Sequence, residues 1–256
     1  MTNKRTRFIR GAEAETLTFQ GFISYDCSGQ AEKQIMRGGP ASLHLDHIPL
    51  STASFLIFAL QNWTCTITSL RLSGIPATIL SILVEIINNT SIDTLEVEDA
   101  VGIGGFDFLT RIASNRRLHS IRLARLIILD WQMFLQDVIS SKGIQHIRLA
   151  GLQTMTLRDE SFRWRTQILQ LASERTSISI LGAPYGNWCI ISLLHDIRDE
   201  CLPNNQKLKY VMIRGREGVN SDLLIASAEL TALMKVRSMV GDAYELIASY
   251  VRGAHK

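Results

Sequence analysis

A six-residue pattern recurs along this chain, and its clearest copy is Ile121-Arg122-Leu123-Ala124-Arg125-Leu126, with apolar residues at the first, third and sixth positions. Close copies begin at residues 17, 43, 70, 95 and 147, and looser copies begin at 178 and 211. The eight copies are therefore separated by 26, 27, 25, 26, 26, 31 and 33 residues. A period of this length is typical of proteins built from stacked supersecondary units.

Each repeat has two parts. The alternating segment predicts a short strand, and a stretch with apolar residues at helical spacing follows it. Asp130 is a candidate N-cap for one such helix. Polar residues end each helical stretch, and the predicted helices are Thr52–Trp63, Ala77–Asn89, Phe106–Asn115 and Asp130–Ser141.

The residue pattern within each strand distinguishes a parallel sheet covered on both faces from one with a face in contact with water. Strands covered by helices on both faces are continuously apolar. Here a polar residue lies between two apolar ones in most copies, namely His44, Arg71, Glu96, Arg122 and Arg148. One sheet face must therefore contact water. The pattern predicts an α/β solenoid with a parallel sheet on its concave face and helices on its convex face.

On these residues the chain resembles a leucine-rich-repeat protein over roughly Leu17 to Arg214, as eight units. The resemblance implies a horseshoe and a concave binding face. The sixth position lacks the Asn or Cys of many family members and holds Phe22, Ile48, Ile75, Ala100, Leu126, Leu152, Ala183 and Arg216. The chain is therefore most similar to the irregular, helix-bearing intracellular repeats of the ribonuclease-inhibitor-like type.

Three domains are predicted: a basic N-terminal tail at 1–16, the solenoid at 17–219 and a helical C-terminal cap at 220–256. Gly241-Asp242 is a candidate break that would split the cap into two helices. The cap helix and the N-terminal edge strand at Leu17 are both candidates for self-association.

Composition excludes several classes of protein. The chain has 256 residues and is 46% hydrophobic, but no apolar run approaches the ~20 residues of a membrane span. A net charge of +3 is too small to indicate nucleic-acid binding. The four cysteines are scattered, which favours free thiols in a reducing compartment. We expect a cytoplasmic protein, with delivery into another cell's cytosol as a further option.

Catalytic signals are weak. Gly102–Gly105 follows a strand and suggests a phosphate cradle, but it lacks G-x-G-x-x-G spacing and reads better as a turn. His44, Asp46 and His47 suggest a metal site, but only His44 and Asp46 share a strand face. We therefore expect no enzyme, no metal and no cofactor.

The strongest functional candidate is the outward strand face. Arginines interleaved with an acid suit a protein or peptide partner carrying carboxylates. The alternatives are a solvated face stabilised by cross-strand ion pairs, and binding of nucleotide or nucleic acid. An insertion at 158–165 is a second candidate surface, because Arg and Trp are typical interface anchors. The alternative for this segment is a longer convex helix with Phe162 or Trp164 in the core. We expect a non-enzymatic scaffold, with an adaptor and a secreted effector as the two specific options. Its expected partner-binding residues are His44, Arg71, Glu96, Arg122, His146, Arg148 and Tyr210.

Overall fold

The segments in which apolar and polar residues alternate form strands in the structure. The computed structural model describes residues 16–20, 42–47, 67–75, 80, 87, 91–99, 112, 117–141, 143–151, 153–156, 161–183, 185–216, 218 and 220–254. The chain divides into two compact units, Met1–Asp159 and Glu160–Lys256. The domains predicted at 1–16, 17–219 and 220–256 stay predictions.

The first unit is built on a parallel sheet in which successive repeats pair side by side. Its strands lie in the order β1-β2-β3-β4-β5-β7, and each of these neighbouring pairs is parallel. The predicted α/β class and parallel pairing are confirmed. The bounds are β1 Thr16–Gln20, β2 Ser42–Asp46, β3 Ser69–Ser73, β4 Thr94–Glu98, β5 Ser120–Ala124, β6 Ile127–Asp130, α1 Trp131–Ser140, β7 His146–Ala150 and β8 Gln153–Thr156.

The apolar strand positions form the core of this unit. Equivalent residues of successive repeats are direct partners in the sheet, so each apolar column is continuous. The two columns are almost fully buried, and their members are Leu43, Leu45, Leu70, Leu72, Leu95, Val97, Ile121, Leu123, Ile147 and Leu149. Removing this surface from water is the main favourable contribution of the repeat pattern.

The first residue after a strand adopts a left-handed conformation in repeat after repeat. The backbone N–H of this residue continues the hydrogen bonds between neighbouring strands. For example, the N–H of Arg125 donates to the carbonyl of Ala150 at 2.9 Å. Glycine adopts this conformation freely, whereas other residues pay a steric cost. The column comprises His47, Gly74, Asp99, Arg125 and Gly151.

The predicted helix after β5 is confirmed as α1, Trp131–Ser140. Of the other predicted helices, Leu80, Ile87 and Ile112 are described, and each is helical and buried. Thr52–Trp63 lies outside the described residues. The repeat pattern did not predict β6 and β8, which pair in parallel with each other between a main strand and the next helix.

The second unit also contains a parallel strand pair. Strands β9 and β10 pair in register from Tyr210 opposite Ser177, with an irregularity between Arg214 and Gly215. A π-helical turn, Ile197–Cys201, joins two helices. The remaining bounds are α2 Ser161–Glu174, β9 Ser177–Ala183, α3 Asn187–Asp196, α4 Leu202–Asn204, β10 Tyr210–Gly215 and α5 Ser221–Ala254.

Helix α5 is attached to this unit along one side. Leu223, Leu230 and Met234 are buried. Arg237 donates from its guanidinium to three backbone carbonyls, those of Leu202, Asn205 and Leu208. Three charge-assisted hydrogen bonds from a single side chain fix the helix against the α4–β10 connection.

The candidate break at Gly241-Asp242 does not occur, because α5 continues without interruption from Ser221 to Ala254. A glycine inside a helix has a backbone entropy cost but no steric requirement to break it. A Cβ added at Gly241 would meet nothing within 4 Å.

We therefore expect Gly241→Ala to raise the free energy of unfolding by about 1 kcal/mol. Urea denaturation followed by circular dichroism measures the change. Gly218→Ala is the control, since a Cβ there also meets open space but the residue lies outside any helix. Equal stability changes in the two variants would contradict a continuous helix through Gly241.

No helix in the described ranges combines the length and apolar character required to cross a membrane. Cys189 and Cys201 are free thiols, and Cys27 and Cys65 lie outside the described residues. Burial raises the pKa of the Cys201 thiol to about 11.

Candidate interaction surface

The outward residues of β2, β3, β4, β5 and β7 form a surface that we call the polar strand face. Side chains alternate between the two sides of a strand, so three residues of each strand share this face. The parallel register aligns them into columns. The middle column is His44, Arg71, Glu96, Arg122 and Arg148. The column on the side where the strands begin is Ser42, Ser69, Thr94, Ser120 and His146. The column on the side where the strands end is Asp46, Ser73, Glu98, Ala124 and Ala150.

The middle column contains a three-membered charge ladder. Glu96 lies between two arginines, with its Oε2 atom 3.7 Å from Arg71 Nε and 3.6 Å from Arg122 Nη1. These distances correspond to ion pairs without short hydrogen bonds. Partly exposed pairs of this kind contribute about 0–1 kcal/mol each.

Glu98 is held more tightly than Glu96. Arg71 Nη2 donates to its Oε2 atom at 2.7 Å, and Arg125 contacts its Oε1 atom. The hydrogen bond from Arg71 is the largest cause that holds the pKa of Glu98 below its usual range. Glu98 is therefore ionised and internally neutralised.

A second pair follows in the left-handed turn column. Arg125 donates from Nε and Nη2 to the two carboxylate oxygens of Asp99, each at 2.6 Å. This bidentate contact lowers the pKa of Asp99. Sequence reasoning missed it, although the two residues occupy the same repeat position 26 residues apart. The repeat period alone would have predicted that these two residues are neighbours.

Arg148 stands apart from these pairs. It is exposed on β7 and makes no ion pair within the described ranges. Its neighbour in register is Arg122, roughly 4.8 Å away along the sheet by ordinary strand spacing. His146 is also exposed and lies opposite Ser120. The β7 end of the polar strand face therefore carries a guanidinium, that of Arg148, which no described carboxylate neutralises.

The β2 end of the surface is different. His44 is half-buried, and burial is the largest cause that lowers its pKa, followed by the charge of Arg71. Its Nε2 atom is enclosed without a hydrogen-bond partner. His44 is therefore neutral near pH 7 and does not extend the cationic region.

The structure does not assemble the metal site considered from His44, Asp46 and His47. Nδ1 of His47 contacts Oδ1 of Asp46 at 2.6 Å. The His47 imidazole lies over Gly74, where an added Cβ would meet it at 2.5 Å. Among the described residues, no three His, Cys, Asp or Glu side chains are grouped to hold a metal ion.

The remaining predicted residues are in the second unit or outside the described ranges. Tyr210 is exposed on β10, and its hydroxyl contacts the sulfur of Met212 at 3.5 Å. Trp164 is buried, so it is not available as an interface anchor in the 158–165 segment. Arg165 contacts Asp196 and Ser192. Gly102–Gly105, the candidate phosphate cradle, lies outside the described residues.

The chain was compared with known proteins. A scan against protein-family models gave no match, and a search of curated proteins found no similar sequence.

Proposed function

We propose that this chain is a leucine-rich-repeat-like interaction module that binds an acidic protein or peptide on the polar strand face. The single observation that carries the proposal is the arginine pair on the neighbouring strands β5 and β7, Arg122 and Arg148. Among the residues that the structure describes, Arg148 has no acidic partner, whereas Glu98 and Asp99 are already paired with Arg71 and Arg125. A partner carboxylate can therefore bind Arg122 and Arg148 without displacing the strongest internal pairs.

The repeat architecture supports the same proposal. The register of successive repeats fixes the position of each outward side chain, and the strand backbone is ordered before any partner binds. A preformed surface reduces the ordering cost of association. In the horseshoe that the repeat period predicts, this face would be the concave one.

The row of hydroxyl side chains adds a second recognition element. Ser42, Ser69, Thr94 and Ser120 are partners in register along one side of the charged column. Hydroxyl groups donate to and accept from peptide groups at little conformational cost. The surface therefore offers the guanidinium of Arg148 at its β7 end and a row of neutral hydroxyl groups beside the charged column.

Binding of nucleic acid along the arginine row is a weaker candidate. Phosphate backbones favour a surface of one sign. Here Glu96 lies between Arg71 and Arg122, and Glu98 contacts Arg71. The proposed role is non-enzymatic, as a scaffold, an adaptor or an effector acting in the cytoplasm.

The test reverses the charge of the arginine pair. A displayed library of random peptides is selected on the full chain and then measured against the double variant Arg122→Glu, Arg148→Glu. We expect acidic peptides to be enriched, and their capture to fall at least tenfold in the variant. The effect should shrink as salt rises, because ionic contacts on an exposed face are screened.

The matched control is Lys207→Glu, Lys209→Glu, which changes the net charge by the same amount at exposed positions outside this face. Capture by this control should stay within about twofold of the native chain. Equal losses of peptide capture in both double variants would mean that the effect comes from the net charge of the chain. Unchanged capture and salt dependence in the arginine variant would exclude the polar strand face as the binding site.

A further inference from the structure

Helix α5 carries apolar residues on the side that faces away from its own unit. Its attached side is formed by Leu223, Ala226, Leu230 and Met234, all of which are buried. Six large apolar side chains on the rest of the helix surface are between 44% and 63% exposed, and they are Leu224, Ile225, Leu233, Val236, Met239 and Val240. Ala228 and Ala232 are exposed between them. We call this set the outer stripe.

An apolar outer surface conflicts with the role of a cap. A helix that closes a repeat array keeps its outer face polar, because that face contacts water. The outer stripe instead extends from residue 224 to residue 240, roughly 24 Å at the rise of an α-helix. Patches of this kind on a folded chain mark interaction sites.

The spacing of the outer stripe is symmetric about Ala232. Ile225 and Met239 each lie seven residues from Ala232, and Ala228 and Val236 each lie four residues from it. In two antiparallel helices related by a two-fold axis at residue 232, residues at equal distances before and after it lie at the same height. The layers four, seven and eight residues from the axis would then be apolar, with Ala232 at the centre where the two backbones come closest. The layer three residues from the axis would pair the exposed Glu229 of one copy with the exposed Lys235 of the other, which are of opposite charge.

We propose that α5 pairs in antiparallel fashion with α5 of a second copy of this chain, with the two-fold axis at Ala232. The interface is isologous, since the same stripe serves both copies. A helix surface of this kind presents on the order of 500 Å². Two such surfaces reach about 1,000 Å², the lower limit of a specific interface. We therefore expect a dimer that dissociates on dilution.

This inference is independent of the proposed function, because it rests on α5 alone. Sedimentation velocity on the full chain from about 1 to 100 µM should show a shift from monomer to dimer. Val236→Glu places a charge in the outer stripe, and we expect it to weaken association at least tenfold. Ser238→Glu adds the same charge at an exposed position off the stripe, and its association should match that of the native chain.

A crosslinking experiment tests the symmetry directly. In Ala232→Cys, the two introduced thiols face each other across the proposed axis, so a short bifunctional thiol reagent should join two copies efficiently. Ser238→Cys points away from the partner helix and should crosslink at the background level of the native cysteines. Circular dichroism on every variant verifies that the helix content is unchanged.

Several results would overturn the proposal. One is a monomer at every concentration, which would assign the stripe to a different partner. Another is a dimer that Val236→Glu leaves intact, since its interface would lie elsewhere. The third is equal crosslinking through residues 232 and 238, which would contradict an axis at Ala232.

Discussion

Replacing Trp164 by alanine should lower the free energy of unfolding by about 3–5 kcal/mol. The side chain is 1% exposed and is among the largest fully buried groups in the described part of the chain. Its ring stacks on Tyr185 with centroids 4.2 Å apart. Alanine would remove this contact and leave a cavity that the surrounding helix and strand cannot close fully.

A second tryptophan in the same unit provides the control. Trp188 is 79% exposed, so Trp188→Ala should change stability by no more than about 0.5 kcal/mol. Urea denaturation monitored by circular dichroism compares the two variants without relying on tryptophan emission. Similar losses at the two positions would contradict the burial of Trp164.

Trp164→Phe refines this test. The indole Nε1 atom is buried without a hydrogen-bond partner, so phenylalanine removes an unsatisfied donor while keeping an aromatic ring. We expect this variant to lose much less stability than Trp164→Ala. A loss as large as that of alanine would mean that the full indole shape is required.

Replacing Asn205 by alanine is the second change with a large expected effect, a loss of roughly 3 kcal/mol from three unsatisfied backbone groups. The amide of this buried residue donates to the carbonyls of Ala172 and Arg175, each at 2.9 Å. Its oxygen accepts from the N–H of Lys207 at 3.0 Å. Alanine leaves all three groups without these partners and supplies nothing in their place.

The neighbouring residue is a natural control. Asn204 is exposed and donates to the carbonyl of Glu200, so Asn204→Ala should cost no more than about 0.5 kcal/mol. Denaturation of both variants under the same conditions gives the comparison. Equal stability of the two variants would show that the Asn205 amide is not required.

Asn205→Asp adds a pH test of the same contact. An ionised carboxylate would face the carbonyls of Ala172 and Arg175, so burial and repulsion would raise its folded-state pKa above the unfolded value of about 3.9. Stability relative to the native chain should therefore fall as pH rises from 4 to 7. A pH-independent difference would show that position 205 is accessible to water.

The strand register could be predicted from the sequence because it depends on a local pattern repeated at a nearly constant interval. Leu43, Leu70 and Leu95 occupy equivalent repeat positions, and they are direct partners in the sheet. The order Arg71, Glu96, Arg122 and Arg148 on the outward face follows from the same interval. No long-range information is needed for either result.

The roles of several polar and aromatic residues could not be predicted in this way. The sequence left Trp164 open between an interface anchor and a core residue, and the structure places it in the core, where its ring stacks on Tyr185. Asn205 resembles the polar residues that end other helical stretches, such as Asn89, Asn115 and Ser141. Its position five residues before a strand is visible in the sequence, but its three backbone partners are not.

The sequence by itself determined the repeat unit, the parallel pairing and the column in which each strand residue lies, since these depend on apolar periodicity along the chain. The tertiary structure alone decided which charges are already paired, leaving Arg148 without a described acid, and which side of α5 is attached, leaving Val236 and Met239 exposed. Those outcomes depend on side chains from different repeats meeting in space, at distances that a one-dimensional pattern does not contain.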